Sequence, residues 1–299
     1  MYPAFFYNSD IRNNGTARRV TDAVVQMGWL EKGFKRYTRP IPESAENHDF
    51  WLFIDDGRDE IPMEVPIHGT SACWLVDTHL GFETRFEWAK KFDFVFTAQK
   101  RGAEDMKALG LNAHWLPLAC LPNVDCSYGE LSDLSKEELG PYGLQKMHDV
   151  VFVGHVNMGA EGGLGNNRLE YLDRIYKEFP TSWFANNVYF VDAAIRYARG
   201  RVGFNISIKD DLNMRFFETL SYGNCLITDR AAVGWEELGF KDEVHFLAYD
   251  DLDDAVEKVR WALENPMERE KIAKAGHSLA REQHTYQDRI AQMRYLIGE

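Results

Sequence analysis

The sequence is poor in cysteine and in basic residues and has no long apolar run, and each absence excludes a class of protein. Its four cysteines form no CxxC pair, so neither a disulfide framework nor a zinc site is predicted. Lys and Arg number 34 against 47 Asp and Glu, a formal charge of −13, which makes nucleic acid and anionic membrane surfaces poor partners. No stretch approaches the roughly 20 apolar residues of a membrane-spanning helix, so no integral membrane segment is expected.

What the sequence does contain is enough for two globular domains. Hydrophobic residues make up 45% of the 299-residue chain, and this length suits two domains of ordinary size, each with its own core. The first residues, Met1 to Asn8, lack a basic stretch followed by an apolar one. We therefore expect a cytoplasmic protein.

A short β-like run, a polar turn and an amphipathic helix follow one another repeatedly along the chain. This rhythm is typical of doubly wound parallel sheets, and it occurs in two sets separated by the acidic, proline-containing stretch 118–147, the predicted linker. We expect two α/β, Rossmann-like domains, 1–140 and 141–299, and a helical C-terminus that breaks at Asn265-Pro266. The predicted strands are 4–7, 50–54, 72–76, 92–97, 114–116, 149–154, 188–191, 202–206, 225–228 and 244–247.

A glycine-rich loop follows the predicted strand that ends at Gly154. Exposed backbone N–H groups between a strand and a helix suit phosphate oxygens. The loop matches neither GxxxxGKS/T nor GxGxxG, because Arg168 stands where the third glycine of the latter belongs. A phosphate site that uses Gly154 and Arg168, and a plain connection with a solvated arginine, are both open at this point.

The densest group of chemically useful residues lies between two predicted strands, in segment 203–229. A helix that follows a strand delivers its first-turn residues to the mouth of the sheet, here Asn213, Arg215 and Glu218. Arg supplies a planar fork for a diphosphate, and a carboxylate one turn later can accept two hydrogen bonds from the hydroxyls of a ribose. An Arg–Glu pair on a solvated helix face is the alternative.

This segment resembles the donor-site motif of the CgeB-like (spore maturation) glycosyltransferases, related to the retaining glycosyltransferases of the GT-B fold. The resemblance rests on Asn213-x-Arg215-x-Phe217-Glu218, Gly223 and Leu226–Asp229, and on segments 234–240, 249–252, 268–276 and 284–289 in the same order. It is strong over residues 148 to 297 and looser before them. It implies two Rossmann-like domains facing a central cleft, the N-terminal one for the acceptor and the C-terminal one for the donor.

The resemblance also implies an activity and a set of residues. The expected enzyme moves a sugar from a nucleotide-diphosphate sugar, a UDP-sugar, to a hydroxyl acceptor on a glycan, a protein or a small molecule, with retention and with neither cofactor nor metal. Glu218 would hold the ribose, while the preceding acidic position of the wider superfamily falls on Asp210, whose role is open. The donor-binding residues expected are Gly15, Gly154, Arg168, Asn205, Asn213, Arg215, Phe217, Glu218 and Thr219.

The N-terminal half carries the candidate catalytic residues. In the resembling families a histidine of this lobe lies near the reacting carbon, and the matching segment here is Leu75–His79. His79 could hydrogen-bond donor or acceptor hydroxyls, and Asp77 could orient it or act as a base, in which case inversion becomes open. Asn14-Gly15-Thr16 resembles the first glycine loop of such folds and is also readable as a plain turn.

The acidic run 55–60 could suggest a metal site but does not have the ligand spacing of an EF-hand loop. A solvated turn is expected instead. Two other classes of function are alternatives to the enzyme: a non-catalytic intracellular nucleotide- or sugar-binding protein, and an NAD-linked oxidoreductase, which the missing glycine fingerprint disfavours. The sequence leaves open the donor sugar and base, the acceptor and the oligomeric state.

Overall fold

A computed structural model of the chain describes residues 3–6, 15–27, 35–37, 48–55, 69–155, 168–209 and 211–298. Its strands are β1 Pro3–Phe6, β2 Lys35–Tyr37, β3 Phe50–Ile54, β4 Thr70–Leu75, β5 Phe94–Thr97, β6 Ala113–Trp115, β7 His148–Val153, β8 Trp183–Ala185, β9 Gly200–Phe204, β10 Cys225–Asp229 and β11 Leu247–Tyr249. Its helices are α1 Thr16–Gln26, α2 Phe82–Ala89, α3 Lys100–Ala108, α4 Tyr128–Leu131, α5 Lys136–Leu139, α6 Arg168–Glu178, α7 Phe190–Ala198, α8 Met214–Ser221, α9 Leu252–Glu264, α10 Pro266–Gln283 and α11 Tyr286–Ile297.

The chain divides into two compact units. The N-terminal unit comprises Met1–Leu118 and Tyr286–Glu299, and the C-terminal unit is Ala119–Thr285. The sequence-based division into 1–140 and 141–299 stays a prediction about functional domains. Within the C-terminal unit the expected linker is packed rather than extended, because Leu131 and Leu144 are buried against residues of α7.

The N-terminal unit is built on a six-stranded parallel sheet in the order β2-β1-β3-β4-β5-β6. All five residues of β3 are buried, as expected of a parallel strand covered on both faces. Trp51 and Phe53 of β3 pack with Trp88 of α2 and Met106 of α3 in one core cluster. The unit is therefore an α/β layer structure with helices over the sheet.

The last helix belongs to the N-terminal unit. Helix α11 packs on α1, and the fully buried Tyr286 at its start lies 6.0 Å from the ring of Trp74. Arg289 of the same helix donates from Nε to the carbonyl oxygen of Pro117 at 3.0 Å. The chain thus returns to its first unit at the end.

The C-terminal unit is built on a five-stranded parallel sheet in the order β11-β10-β9-β7-β8. Its core includes Phe152, Phe204 and Ile227 of three neighbouring strands and Val259 of α9. Helix starts follow local rules: the side chain of Asp251 caps α9 by accepting from the backbone N–H of Asp254, and Pro266 occupies the first turn of α10, where its missing N–H costs nothing.

Most predicted elements are confirmed, and two predicted strands are wrong. Segment 188–191 reads as a strand in its side-chain types, but Phe190 and Val191 begin α7, whose buried alanines and Tyr197 continue a helical period. Predicted strand 244–247 lies too early, because the backbone N–H of His245 bonds the carbonyl oxygen of Lys241 in a turn, and β11 begins at Leu247. No described helix is long and apolar enough to cross a membrane.

Candidate functional site

The candidate site lies at the carboxyl edge of the C-terminal sheet, where strand order reverses. From β7 the chain proceeds to β8 on one side and then to β9 on the other side of β7. Gly154 directly follows β7 and Asn205 directly follows β9. Open α/β sheets bind ligands in the crevice outside such a reversal. We call Phe152, Gly154, Arg168, Asn205 and Arg215 at this edge the arginine cluster.

Arg215, in the first turn of α8, is held by the ends of both strands. Its Nε donates to the carbonyl oxygen of Val153 at 2.5 Å, and its Nη1 donates to Oδ1 of Asn205 at 2.9 Å. The guanidinium carbon lies 4.4 Å from the ring centroid of Phe152, within cation–π range. These contacts fix a planar cation across the reversal point.

Gly154 is a glycine for a steric reason. A Cβ built on it would lie 1.9 Å from Nη2 of Arg215 and 3.2 Å from the ring of Phe152. Any other residue would therefore displace the guanidinium. The sequence expectation that Gly154 serves an anion site has a second explanation here, since this glycine makes room for the arginine.

Arg168, the first residue of α6, lies in the same cluster and is only 5% exposed. Its Nη2 donates to the carbonyl oxygen of Ile206 at 2.8 Å, and its Nη1 donates to that of His155 at 3.1 Å. Its guanidinium carbon is 6.0 Å from the centroid of the Phe152 ring that Arg215 also faces. The solvated arginine considered from sequence is therefore not what the structure has.

The electrostatics of the two arginines favour an anion. All their hydrogen bonds among the described residues end on uncharged oxygen atoms. Burial lowers the pKa of Arg215, and burial together with the charge of Arg215 lowers the pKa of Arg168 to about 10. The guanidinium group of arginine stays protonated in proteins. The charges of Asp229 and Glu218 attract Arg215, and those of Asp229 and Asp211 attract Arg168. Because the hydrogen bonds of the two arginines use uncharged oxygens, the pair still gains from an anion that reaches it.

Asn205 organises this edge. Its Oδ1 accepts from Arg215 and from Nδ2 of Asn213 at 3.2 Å, its Nδ2 donates to Oγ1 of Thr228 at 3.0 Å, and its backbone oxygen accepts from the hydroxyl of Tyr249 at 2.9 Å. Asn213 in turn caps α8 by accepting from the backbone N–H of Phe216 at 3.3 Å. Because the buried amide is satisfied on every side, the start of α8 is fixed relative to β9 and β10.

Asp229 is a site residue whose role sequence reasoning did not assign. It ends β10, accepts from the backbone N–H of Ser207 at 2.7 Å and also binds the Ser207 hydroxyl. Burial raises the pKa of this carboxyl. Asp229 restrains the chain after β9. Its position at the end of a strand is the sequence signal that could have indicated this role.

The other expected donor residues divide between the surface and the core. Glu218 lies partly exposed one turn after Arg215 on α8. Phe217 is fully buried, with its ring 6.2 Å from that of Phe240, and Thr219 is fully buried beside Gly203. The structure therefore places Phe217 and Thr219 in the interior rather than in the arginine cluster.

The candidate catalytic residues lie in the N-terminal unit, in the segment that follows β4. Asp77 has a left-handed backbone with φ of +56° and accepts from the backbone N–H of Leu80 at 2.9 Å through its carbonyl oxygen. Next to Asp77, the N–H and Oγ1 of Thr78 both donate to Oε1 of Gln99 at 3.0 Å. His79 is partly exposed. Gly15 belongs to the same unit and directly precedes α1.

The acidic run after β3 needs a correction. The solvated turn expected there fails for Asp55, which is 1% exposed and pairs with the buried Arg85 of α2, Nε to Oδ2, at 2.7 Å. The strand end lies beside the following strand and α2, so the carboxylate is covered by protein. Residues 56–60, Asn14, the glycines between 159 and 165, and Asp210 lie outside the described residues.

A family model described as glycosyl transferase-like matches residues 164–294, the part of the chain that carries Arg168, Asn205 and Arg215. No curated protein matches the sequence significantly. Sucrose-phosphate synthase from Thermosynechococcus elongatus is similar in structure, with a TM-score of 0.64 and 10% identity over 99% of this chain and 98% of that one.

HepE from Anabaena, solved in complex with UDP-glucose, is similar with a TM-score of 0.64 and 10% identity over 99% of both chains. A glycosyltransferase from Rickettsia africae has a TM-score of 0.60 and 9% identity over 100% of this chain and 99% of that one. At these identities the likeness establishes the fold. The chain has the α/β fold of the GT-B glycosyltransferases, with parallel sheets and a helical C-terminus.

Proposed function

We propose that the protein is a glycosyltransferase that moves a sugar from a nucleotide-diphosphate sugar to a hydroxyl acceptor. One observation carries the proposal: two protonated arginines share the ring of Phe152 at the strand-order reversal, and their hydrogen bonds use uncharged acceptors. A diphosphate is the anion that such a pair of planar donors fits. The glycosyl transferase-like match over the same residues supports it.

The arrangement suits the chemistry of the leaving group. Breaking the bond between the anomeric carbon and the phosphate oxygen moves an electron pair, and with it negative charge, onto the diphosphate. Arg215 and Arg168 are held in place before the reaction. Their attraction for the diphosphate grows as its negative charge develops. Such preorganised groups stabilise the transition state more than the ground state.

The donor is proposed to be a UDP-sugar, used without a metal. Support for UDP comes from the structurally similar HepE, which has been solved with UDP and with UDP-glucose. The two arginines would supply the positive charge that a metal supplies elsewhere. We further propose that Glu218 binds the ribose hydroxyls and that the backbone around Gly154 faces the phosphates.

His79 and Asp77 are proposed as the catalytic pair, with retention of the anomeric configuration. The support is the resemblance of segment 75–79 to the corresponding segment of CgeB-like enzymes, and membership of that narrower group is part of the same proposal. A glycan end, a protein side chain and a small molecule are all acceptable hydroxyl sources.

The test is turnover of UDP-sugars in the presence of EDTA. Purified protein is incubated with UDP-glucose, UDP-N-acetylglucosamine or UDP-galactose, with and without simple glycoside acceptors, and released UDP is measured. We expect slow donor hydrolysis with at least one sugar and loss of this activity in Arg215→Lys. The anomeric proton of any product reports retention or inversion.

Other outcomes are equally informative. UDP binding without hydrolysis or transfer from any donor would favour the non-catalytic binding protein. Absence of UDP binding, or activity that requires added Mg²⁺, would contradict the role given to the arginines.

A further inference from the structure

A buried ion pair in the N-terminal unit does not belong to the arginine cluster. Nε of Arg85 donates to Oδ2 of Asp55 at 2.7 Å, and the side chains are 2% and 1% exposed. Burying two charges costs several kcal/mol of desolvation for each ion, so such a pair is a poor way to gain stability. The backbone groups that the pair contacts indicate a role other than stability.

The pair holds both ends of the segment Val76–Gly81. Oδ2 of Asp55 also accepts from the backbone N–H of Val76 at 3.2 Å. At the other end, Nη1 of Arg85 donates to the carbonyl oxygen of Gly81 at 3.4 Å, and the same oxygen accepts from the backbone N–H of Arg85 at 3.3 Å. One carboxylate and one guanidinium thus close a bracket around this segment.

The middle of the bracketed segment carries Asp77 and His79. Asp77 has a φ of +56°, a conformation that a residue other than glycine adopts at a cost and keeps only where its surroundings enforce it. Gln99 holds Thr78 between them by two hydrogen bonds of 3.0 Å. Residues outside the segment, Gln99 among them, therefore help to hold its conformation.

We propose that Asp55 and Arg85 are positioning residues, which hold Val76–Gly81 in the conformation that presents His79 and Asp77 for catalysis. The inference rests on the proposed function for the catalytic roles of His79 and Asp77. The bracket itself is a property of the chain and can be tested without activity.

The first test is amide hydrogen exchange. Asp55→Asn removes the carboxylate whose Oδ2 accepts from both the N–H of Val76 and Nε of Arg85. The double variant Asp55→Asn/Arg85→Met also removes the charge of Arg85, and we expect it to fold if the single variant does not. We expect exchange across residues 76–81 to accelerate about tenfold or more in both, as protection reports local opening.

A matched control is available at the opposite end of the sheet. Oδ2 of Asp93 accepts from the backbone N–H and Oγ of Ser71, both at 2.8 Å. Asp93→Asn removes a carboxylate that also joins neighbouring chain segments, and exchange at 76–81 should not change. Unchanged exchange in the Asp55 variants, or an equal rise in the control, would overturn the bracket.

The second test asks whether the pair acts through His79. We expect the double variant to lower kcat for UDP-sugar hydrolysis about ten- to a hundredfold, the usual cost of a small misplacement, while KM for the donor and UDP affinity stay within about twofold. In a His79→Ala background the same change should lower kcat less than twofold. Equal effects in both backgrounds would overturn the positioning role.

The two proposals fail separately. If the wild-type protein turns over no UDP-sugar, the proposed function has failed, and the exchange result still supports or overturns the bracket. If the wild type is active and exchange does not respond to Asp55→Asn or to the double variant, the positioning proposal has failed alone.

Discussion

The two units of the molecule place arginines at the carboxyl edges of parallel sheets in opposite electrostatic settings. In the N-terminal unit, Arg85 is paired with the buried carboxylate of Asp55. In the C-terminal unit, Arg215 and Arg168 donate to backbone and amide oxygens and share the ring of Phe152. The nearby carboxylate of Asp229 binds Ser207 instead.

Under the proposed function, this difference separates a structural arginine from two binding ones. The carboxylate of Asp55 neutralises Arg85 inside the fold, and the pair holds the segment Val76–Gly81. Hydrogen bonds to uncharged oxygens fix the geometry of Arg215 and Arg168, and under the proposed function their charge serves a ligand. The partner of an arginine, rather than its presence, indicates its role.

The largest effect is expected from breaking the neutralised pair. Asp55→Asn removes the carboxylate that pairs with the buried charge of Arg85 and should lower the free energy of unfolding by about 3–5 kcal/mol, whereas Asp55→Asn/Arg85→Met should recover most of the loss. Urea denaturation measures both. A loss below about 1 kcal/mol in the single variant, similar to that of Asp93→Asn, would remove the contrast between the two units.

The next largest effect is expected from replacing Arg215, the arginine proposed to bind the diphosphate. Arg215→Lys keeps the charge but loses the planar fork that spans Val153 and Asn205. UDP affinity should fall about a hundredfold, or about 2.7 kcal/mol, as measured by calorimetry. Arg230→Lys is the control, because Arg230 already pairs with Asp242 and Asp250. Equal losses in the two variants would mean that partner type does not distinguish the arginines.

A smaller effect is expected from Gly154→Ala, which leaves every charge in place. The new Cβ collides with Nη2 of Arg215 and should tilt the guanidinium, weakening UDP binding about tenfold, or about 1.4 kcal/mol. Gly129→Ala is the matched control in the same unit, since the nearest atom to its Cβ is 4.0 Å away. Undiminished UDP affinity in Gly154→Ala would show that the position of Nη2 is unimportant.

The smallest effect concerns a third kind of pair, at the surface of the C-terminal unit. Hydrogen bonds from Arg281 and Ser127 lower the pKa of Glu130 from its ordinary 4.5 to about 2. Because the folded-state pKa is depressed, the stabilisation is present above pH 4.5 and is lost as pH falls toward 2. With Glu130 45% exposed, the contribution is at most about 1 kcal/mol.

Thermal unfolding from pH 7 to pH 2 checks this prediction. The Tm difference between wild type and Glu130→Gln should shrink over that window. The control variant Glu282→Gln, at an exposed position on α10, should show no such change with pH. A difference that is constant with pH would contradict the assignment to the Arg281 pair.

The sequence predicted most of what is local and periodic. The strand–helix alternation gave the parallel architecture, and the spacing from Asn213 to Glu218 placed Arg215 at the start of α8. Segment 188–191 misled because its residue types favour strands, whereas Phe190 and Val191 begin α7.

Long-range partners were beyond sequence reasoning. Asp55 and Arg85 are thirty positions apart, and nothing local indicates that the first residue of an acidic run is buried. Likewise, Arg168 and Phe152 meet across a glycine-rich loop whose path no pattern specifies. Pairing between distant segments decides which charges are cancelled, and on the proposed function it also decides which arginine is structural and which binds the donor.

The most direct test of the central claim is a calorimetric comparison of UDP, UMP and uridine binding to the wild-type protein in EDTA. If the arginine cluster binds a diphosphate, UDP should bind at least about tenfold more tightly than UMP, uridine should bind more weakly still, and Arg215→Lys should remove the preference for UDP. Equal affinities for the three ligands, or a preference for UDP that survives Arg215→Lys, would contradict the claim.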